Sequence, residues 1–255
     1  MEDIIEKIEY KGYFINIYND DMVESPREWE DLGIMVCFHS RYALGDKHNY
    51  SGPDDFMRSI AYDADATVDD RIEYWENGKG YSYYSNKYQN YNDIEQAIDN
   101  RIQKIIQKAV AEHYIILPLY LYDHSGITIS TGRFSCPWDS GQVGYIYVAK
   151  EKIRKEWNKK LINKTFEQKI VGYLENEVKT YDDFLTGNVY GFSISDNAET
   201  DTHLDSCWGF FGTEWEGNGL FEHAKPAIDY LIEEKEKAEK AKEYKETIIS
   251  SFSHV

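Results

Sequence analysis

"YIILPLYLYDHSGITIST", residues 114–131, decides the fold class. β-branched and aromatic residues dominate 114–122, an Asp-His-Ser-Gly turn follows at 123–126, and an alternating run resumes at 127–131. Two such runs joined by a short turn containing glycine read as antiparallel strands. Pro118 has no amide donor, so the first strand is expected at a sheet edge or with a bulge. Just upstream, Ile94, Ile98, Ile102, Ile105 and Ala109 recur at spacings of three and four. That spacing places them on one face of a helix over 93–113. Asn92 caps this helix, with Glu95 three residues on. A helix feeding paired strands, without a regular βαβ rhythm, points to an α+β fold.

Further strands are expected at 10–20 ("YKGYFINIYND") and 34–42 ("IMVCFHSRY"), paired antiparallel with each other in the simplest arrangement. Between them, "SPREWEDLG" (25–33) reads as a short helix capped by Ser25, with Pro26 at its first position and Gly33 at its end. Residues 52–64 and 68–78 read as two short helices, and the Gly-, Ser-, Asn- and Tyr-rich stretch 78–93 as a loop. Later strands fall at 143–150, 188–196 and 206–212, and later helices at 150–162 and 165–178, with Asn163 as a cap. Residues 222–249 read as a long helix, with Pro226 tolerated only in its first turn. Its charged stretch has almost no apolar face, and Ile248, Ile249 and Phe252 form an apolar tip suited to a homo-oligomer contact or a partner. The expected whole is an α+β fold with a mostly antiparallel mixed sheet and packed helices. One domain covers 1–221, and a charged C-terminal helix over 222–255 projects from it.

Charge bounds the partners. The 255 residues hold 28 basic and 46 acidic side chains, a net of −18. Residues 1–100 carry nine basic against 22 acidic groups, 101–165 carry 11 against five, and 166–229 carry three against 13. This balance opposes direct nucleic-acid binding, which needs a positive surface, and favours a basic protein partner. No run of ~18 apolar residues suggests a membrane-spanning helix. The acidic opening "MEDIIEKIEYKGYF" does not read as a secretory leader. Three distant cysteines, Cys37, Cys136 and Cys207, fit a reducing compartment.

Two sets of residues are candidates for function. Asp123, His124, Cys136 and Asp139 lie in "DHSG" and "SCPWDSG", at turns of one sheet, and form a catalytic set if the chain is an enzyme. The bland reading competes: Asp123 and Asp139 hold turn amides, the glycines shape the turns, and Pro137 and Trp138 pack. Acidic residues Asp63, Asp65, Asp69, Asp70 and Glu73, with the aromatic anchors Tyr81, Tyr83, Tyr84 and Tyr88, form a partner-binding face. No metal is expected: no C-x-x-C or H-E-x-x-H spacing occurs. "DADATVDD" (63–70) fails the calcium-loop pattern at Val68 and Tyr74. No cofactor is expected either, since no phosphate-binding glycine motif is present.

The strings "SPREWEDLGIMVCFHSRYALGD", "ILPLYLYDHSGITIS", "FSCPWDSGQVGYIYV", "VKTYDDFLTGNVYGF" and "DSCWGF" resemble an uncharacterised family of bacteriophage and mobile-element proteins, over roughly residues 25–212. No catalytic residue transfers with this resemblance. It implies a phage product in the host bacterial cytoplasm. With the acidic charge, it implies an anti-defence protein that binds a host defence or DNA-processing protein, by DNA mimicry among other routes. A small phage hydrolase or nucleotide-modifying enzyme, and a phage structural or assembly protein, are the alternatives.

Overall fold

The computed structural model describes residues 3–196 and 203–252, with the backbone alone for 247–252. The chain forms an α+β fold of two antiparallel four-stranded sheets. Its elements are β1 (Glu6–Tyr10), β2 (Tyr13–Asn19), β3 (Ile34–Cys37), α1 (Pro53–Ala64), α2 (Thr67–Glu76), α3 (Lys79–Tyr84), α4 (Tyr91–His113), β4 (Tyr114–Asp123), β5 (Ile127–Ser130), β6 (Ser140–Ala149), α5 (Lys150–Glu156), α6 (Lys164–Thr186), β7 (Val189–Ser195), β8 (Asp205–Phe211) and α7 (Leu220–Phe252). They divide into two compact units, Arg27–Asp182 and Met1–Pro26 with Asp183–Val255. The expected division at 221/222 does not coincide with a boundary between them.

The unit Arg27–Asp182 is built on the sheet β3-β6-β4-β5. Alternation along its strands sends apolar residues to both faces. On one face Val36, Tyr145 and Tyr147 meet Phe56 and Ile60 of α1, Val68 and Ile72 of α2, and Ile105, Ile106, Ala109 and Val110 of α4. On the other, Gly33 lies against Leu174 of α6 and Ile146 of β6. A sheet covered on both faces explains the unbroken apolar runs at 34–37 and 115–121.

The second unit is built on the sheet β1-β2-β7-β8. Ile15, Ile17, Phe192 and Ile194 pack on Leu220, Ala224 and Ile228 of α7. Lys11 and Gly12, both at positive φ (51° and 82°), make the tight turn between β1 and β2. This backbone matches the twist of a two-residue hairpin, and Gly12 adopts it without a Cβ penalty.

Several expectations need correction. The strand expected over 10–20 is β2, which follows a turn and the earlier strand β1, but β2 does not pair with β3: they belong to different sheets. Each finds a longer-range partner, β7 for β2 and β6 for β3. The loop expected over 78–93 contains α3, and Asn90 rather than Asn92 caps α4, accepting from the Asn92 amide at 3.0 Å. Of the edge or bulge expected for the strand of Pro118, the structure shows the bulge, with β4 inside its sheet. Pro118 is tolerated because β5 reaches only Tyr120–Asp123, so Pro118 has a sheet neighbour on one side alone, and the ladder shifts register between Leu119 and Tyr120. Asn163 does cap α6, accepting from the Phe166 amide at 2.9 Å. Helix α7 starts at Leu220, capped by Asn218, so Pro226 falls in its second turn. The side chains of the expected apolar tip, Ile248, Ile249 and Phe252, lie outside the described residues.

Charge is divided unequally. Arg27–Asp182 holds 20 basic and 24 acidic side chains, a net of −4. The other unit holds eight basic and 22 acidic ones, a net of −14. Among the described residues, no helix is long and apolar enough to cross a membrane.

Candidate functional site

The first candidate lies at the end of the sheet in Arg27–Asp182, where the β4–β5 turn meets the segment leading into β6. The Asp123 amide donates to the Asp139 carbonyl at 2.9 Å, which ties the two stretches together. Asp139 then sits between the other two candidates. Its Oδ2 lies 3.4 Å from His124 Nδ1 and accepts from the Cys136 thiol at 3.6 Å. Ser140 closes the turn by donating from its hydroxyl to the Cys136 carbonyl. Asp123 faces elsewhere: its carboxylate takes Arg41 Nη2 at 2.6 Å and the Tyr42 hydroxyl at 3.3 Å.

Three of the four predicted side chains, His124, Cys136 and Asp139, therefore converge, but not as a nucleophile relay. In such a relay the base touches the nucleophile and the acid orients the base. Here the acid touches both, and the thiol proton points at Asp139. The His124 side chain is 63% exposed, so water screens this pair. Trp138, expected to pack, is 92% exposed. The tight Cys136–Ser140 turn projects it away from the sheet. Arg41 and Tyr42 were missed because they follow β3, more than 80 residues from Asp123, and pairing across such a distance leaves no local signal.

The second candidate is the surface of α2, α3 and α4. Its rings are contiguous: Trp75 lies 5.6 Å from Tyr74, 5.6 Å from Tyr83 and 5.8 Å from Tyr84, and Tyr84 lies 6.1 Å from Tyr88. Tyr81 stands apart, 5.8 Å from Tyr91. Gly80 makes this packing possible, because a Cβ there would come 2.4 Å from the Trp75 carbonyl. A cleft of about 340 Å³ runs beside the rings, lined by Asp70, Arg71, Tyr74, Trp75, Arg101 and Ile105. Arg101 lies 5.3 Å from the Trp75 ring centre, a cation–π contact the sequence did not disclose because 26 positions separate the two.

The five acids of this face play different parts. Asp65 lies just before α2 and accepts from the Thr67 hydroxyl and amide at 2.8 and 2.9 Å; those bonds hold its carboxyl below the usual range. Asp69 lies 3.7 Å from Arg58, and Glu73 accepts from Asn77 at 2.9 Å. Asp63 and Asp70 are exposed, and Asp70 borders the cleft. Among the described residues, no group of three or more His, Cys, Asp or Glu side chains is placed to hold a metal ion.

Comparisons with family models, with curated proteins and with solved structures return no match for this chain.

Proposed function

We propose that this chain acts by binding another protein through the α2–α4 surface. The observation that carries this reading is the connected set of rings beside the cleft, two exposed and three half-buried. Tyr74 and Tyr83 are 52% and 64% exposed and packed edge-to-face against Trp75, and Tyr74 adjoins Asp70 and Glu73. Aromatic side chains held rigid by their neighbours give large contact area at low entropic cost, as protein interfaces require. The resemblance to phage proteins and the net charge of −18 supply the rest. The partner is a host defence or DNA-processing protein whose basic surface the chain covers, in the host bacterial cytoplasm.

The test captures partners from nuclease-treated bacterial lysate on the tagged full chain. A single stoichiometric partner is expected, which loses its nucleic acid when the chain is added. Capture should fail both with Tyr83→Ala/Tyr84→Ala and with Asp69→Lys/Asp70→Lys/Glu73→Lys. Capture unaffected by either variant would remove this surface.

A second reading rests on the convergence of Cys136, His124 and Asp139. An enzyme using them loses its function in Cys136→Ala and His124→Ala while staying folded, whereas a binder working through α2–α4 does not.

A further inference from the structure

The residues 150–169, which span α5, the following turn and the start of α6, carry eight basic and three acidic side chains. Two of the basic groups are engaged at home: Lys150 lies 3.7 Å from Glu167, and Lys152 lies 3.9 Å from Glu156 and donates to the Asp31 and Leu32 carbonyls. The other six, Arg154, Lys155, Lys159, Lys160, Lys164 and Lys169, are exposed, and among the described residues none has a carboxylate within 4.0 Å. In a chain with 46 acidic groups, these six cations lie within 16 residues of sequence without an ion-pair partner among the described residues.

Two of these cations, Lys159 and Lys169, flank an aromatic ladder at the turn. The Lys159 amide donates back to the Arg154 carbonyl at 2.9 Å, and Asn158 at φ 48° reverses the chain. Trp157 meets Phe166 at 5.9 Å and stacks on Tyr173 at 6.1 Å. Lys159 lies 4.8 Å from the Phe166 ring centre and Lys169 lies 5.5 Å from that of Tyr173, so a lysine stands at each end of the ladder. Leu161, between Lys160 and Ile162, is 84% exposed.

We propose that this surface binds single-stranded nucleic acid through its phosphates, with Leu161 against a base face. Lysines are compact point charges that neutralise phosphates without reading sequence. Basic side chains interleaved with aromatic ones are the pattern of sequence-tolerant single-strand binding. The net charge of the chain does not forbid it. The surface belongs to the unit of net −4, and exposed charges farther away than about 8 Å are largely screened at physiological salt. An anionic bilayer, the other polyanion of the cell, is an extended plane, whereas these cations are confined to one turn and the helix ends beside it. A flexible single strand can touch the cationic turn alone.

Fluorescence anisotropy of a labelled oligothymidylate with the full chain tests this, at salt concentrations from about 50 to 200 mM. Wild type is expected to bind, with an affinity that falls steeply with salt. Lys155→Glu/Lys159→Glu/Lys160→Glu/Lys164→Glu is expected to lose about tenfold or more. All four side chains are exposed, and unchanged circular dichroism establishes that the variant is folded. Asp69→Lys/Asp70→Lys/Glu73→Lys is expected to keep binding the oligonucleotide, which separates this surface from the protein-binding one. No binding at the lowest salt, or equal binding by the quadruple variant, overturns the proposal. So does binding to phosphatidylserine vesicles without binding to the oligonucleotide.

Discussion

Arg27 grips Asp46 with two parallel bonds, Nε to Oδ1 at 3.1 Å and Nη2 to Oδ2 at 2.8 Å. Around this pair the same guanidinium donates to Asp31 at 2.7 Å and to the Gly33 carbonyl at 2.8 Å, with Glu177 3.7 Å away. Asp46 also accepts from the Met35 amide at 2.7 Å, and Glu177 from the Leu32 and Gly33 amides. The Arg27 side chain is only 6% exposed. Burial acts to lower its pKa, but the bond to Asp46 and the surrounding carboxylates outweigh that and raise it. Arg27, Asp31 and Asp46 therefore build, with Glu177, a buried ionic clamp that ties the residues around β3 to α6.

Breaking this clamp leaves buried charge without its partner. Arg27→Ala is expected to destabilise the protein by about 3–5 kcal/mol, and Arg27→Lys by a large part of that, because a lysine cannot make the paired bonds. Urea unfolding measures both. A loss below about 1 kcal/mol, typical of an exposed ion pair, would show that the clamp does not hold the fold.

The same clamp sets a pH dependence. Desolvation is the largest influence on Asp31 and on Glu177, and it raises both carboxyls. A carboxyl raised in the folded state holds its proton more tightly there than in the unfolded chain. Its contribution is complete below its ordinary value and is lost as the pH rises through the folded one. Glu177→Gln removes one of these titrations. The stability of wild type relative to Glu177→Gln is therefore expected to fall as the pH rises above the ordinary range of a glutamate. A gap that stays constant, or moves the other way, contradicts this assignment.

Two glycines three residues apart separate packing from composition. A Cβ at Gly144 would come 1.9 Å from the Val36 carbonyl oxygen, whereas one at Gly141 meets nothing within 4 Å. Gly144→Ala must push β3 from β6 and is expected to cost about 3 kcal/mol or more, with Gly141→Ala within about 0.5 kcal/mol of wild type. Thermal unfolding of the two variants distinguishes them, and equal effects would mean that β3 and β6 do not approach as described.

The cysteines are expected to react in order. Cys37 is 8% exposed, and burial pushes its thiol up to about 12. Cys136 and Cys207 are partly exposed. A chromogenic disulfide reagent is expected to label two thiols in the native protein and the third only on unfolding. Three native thiols reacting at one rate would place Cys37 at the surface.

Local periodicity determined much of this protein. The apolar spacing in 93–113, the alternation in 114–131 and the Asn163 cap each depend on residues within a few positions of one another, so α4, β4, β5 and the start of α6 were legible from the chain alone. Proximity in sequence also marked Asp123, His124, Cys136 and Asp139 as neighbours, because both stretches flank strands of one antiparallel sheet. Tertiary structure decided what depends on distant pairing. It separated β2 from β3, chose Arg41 as the partner of Asp123, laid Arg101 on Trp75, exposed Trp138 and placed Asp139 between the thiol and the imidazole. Local pattern fixes which face of an element is apolar, but the free energy that selects its partner comes from contacts many positions away.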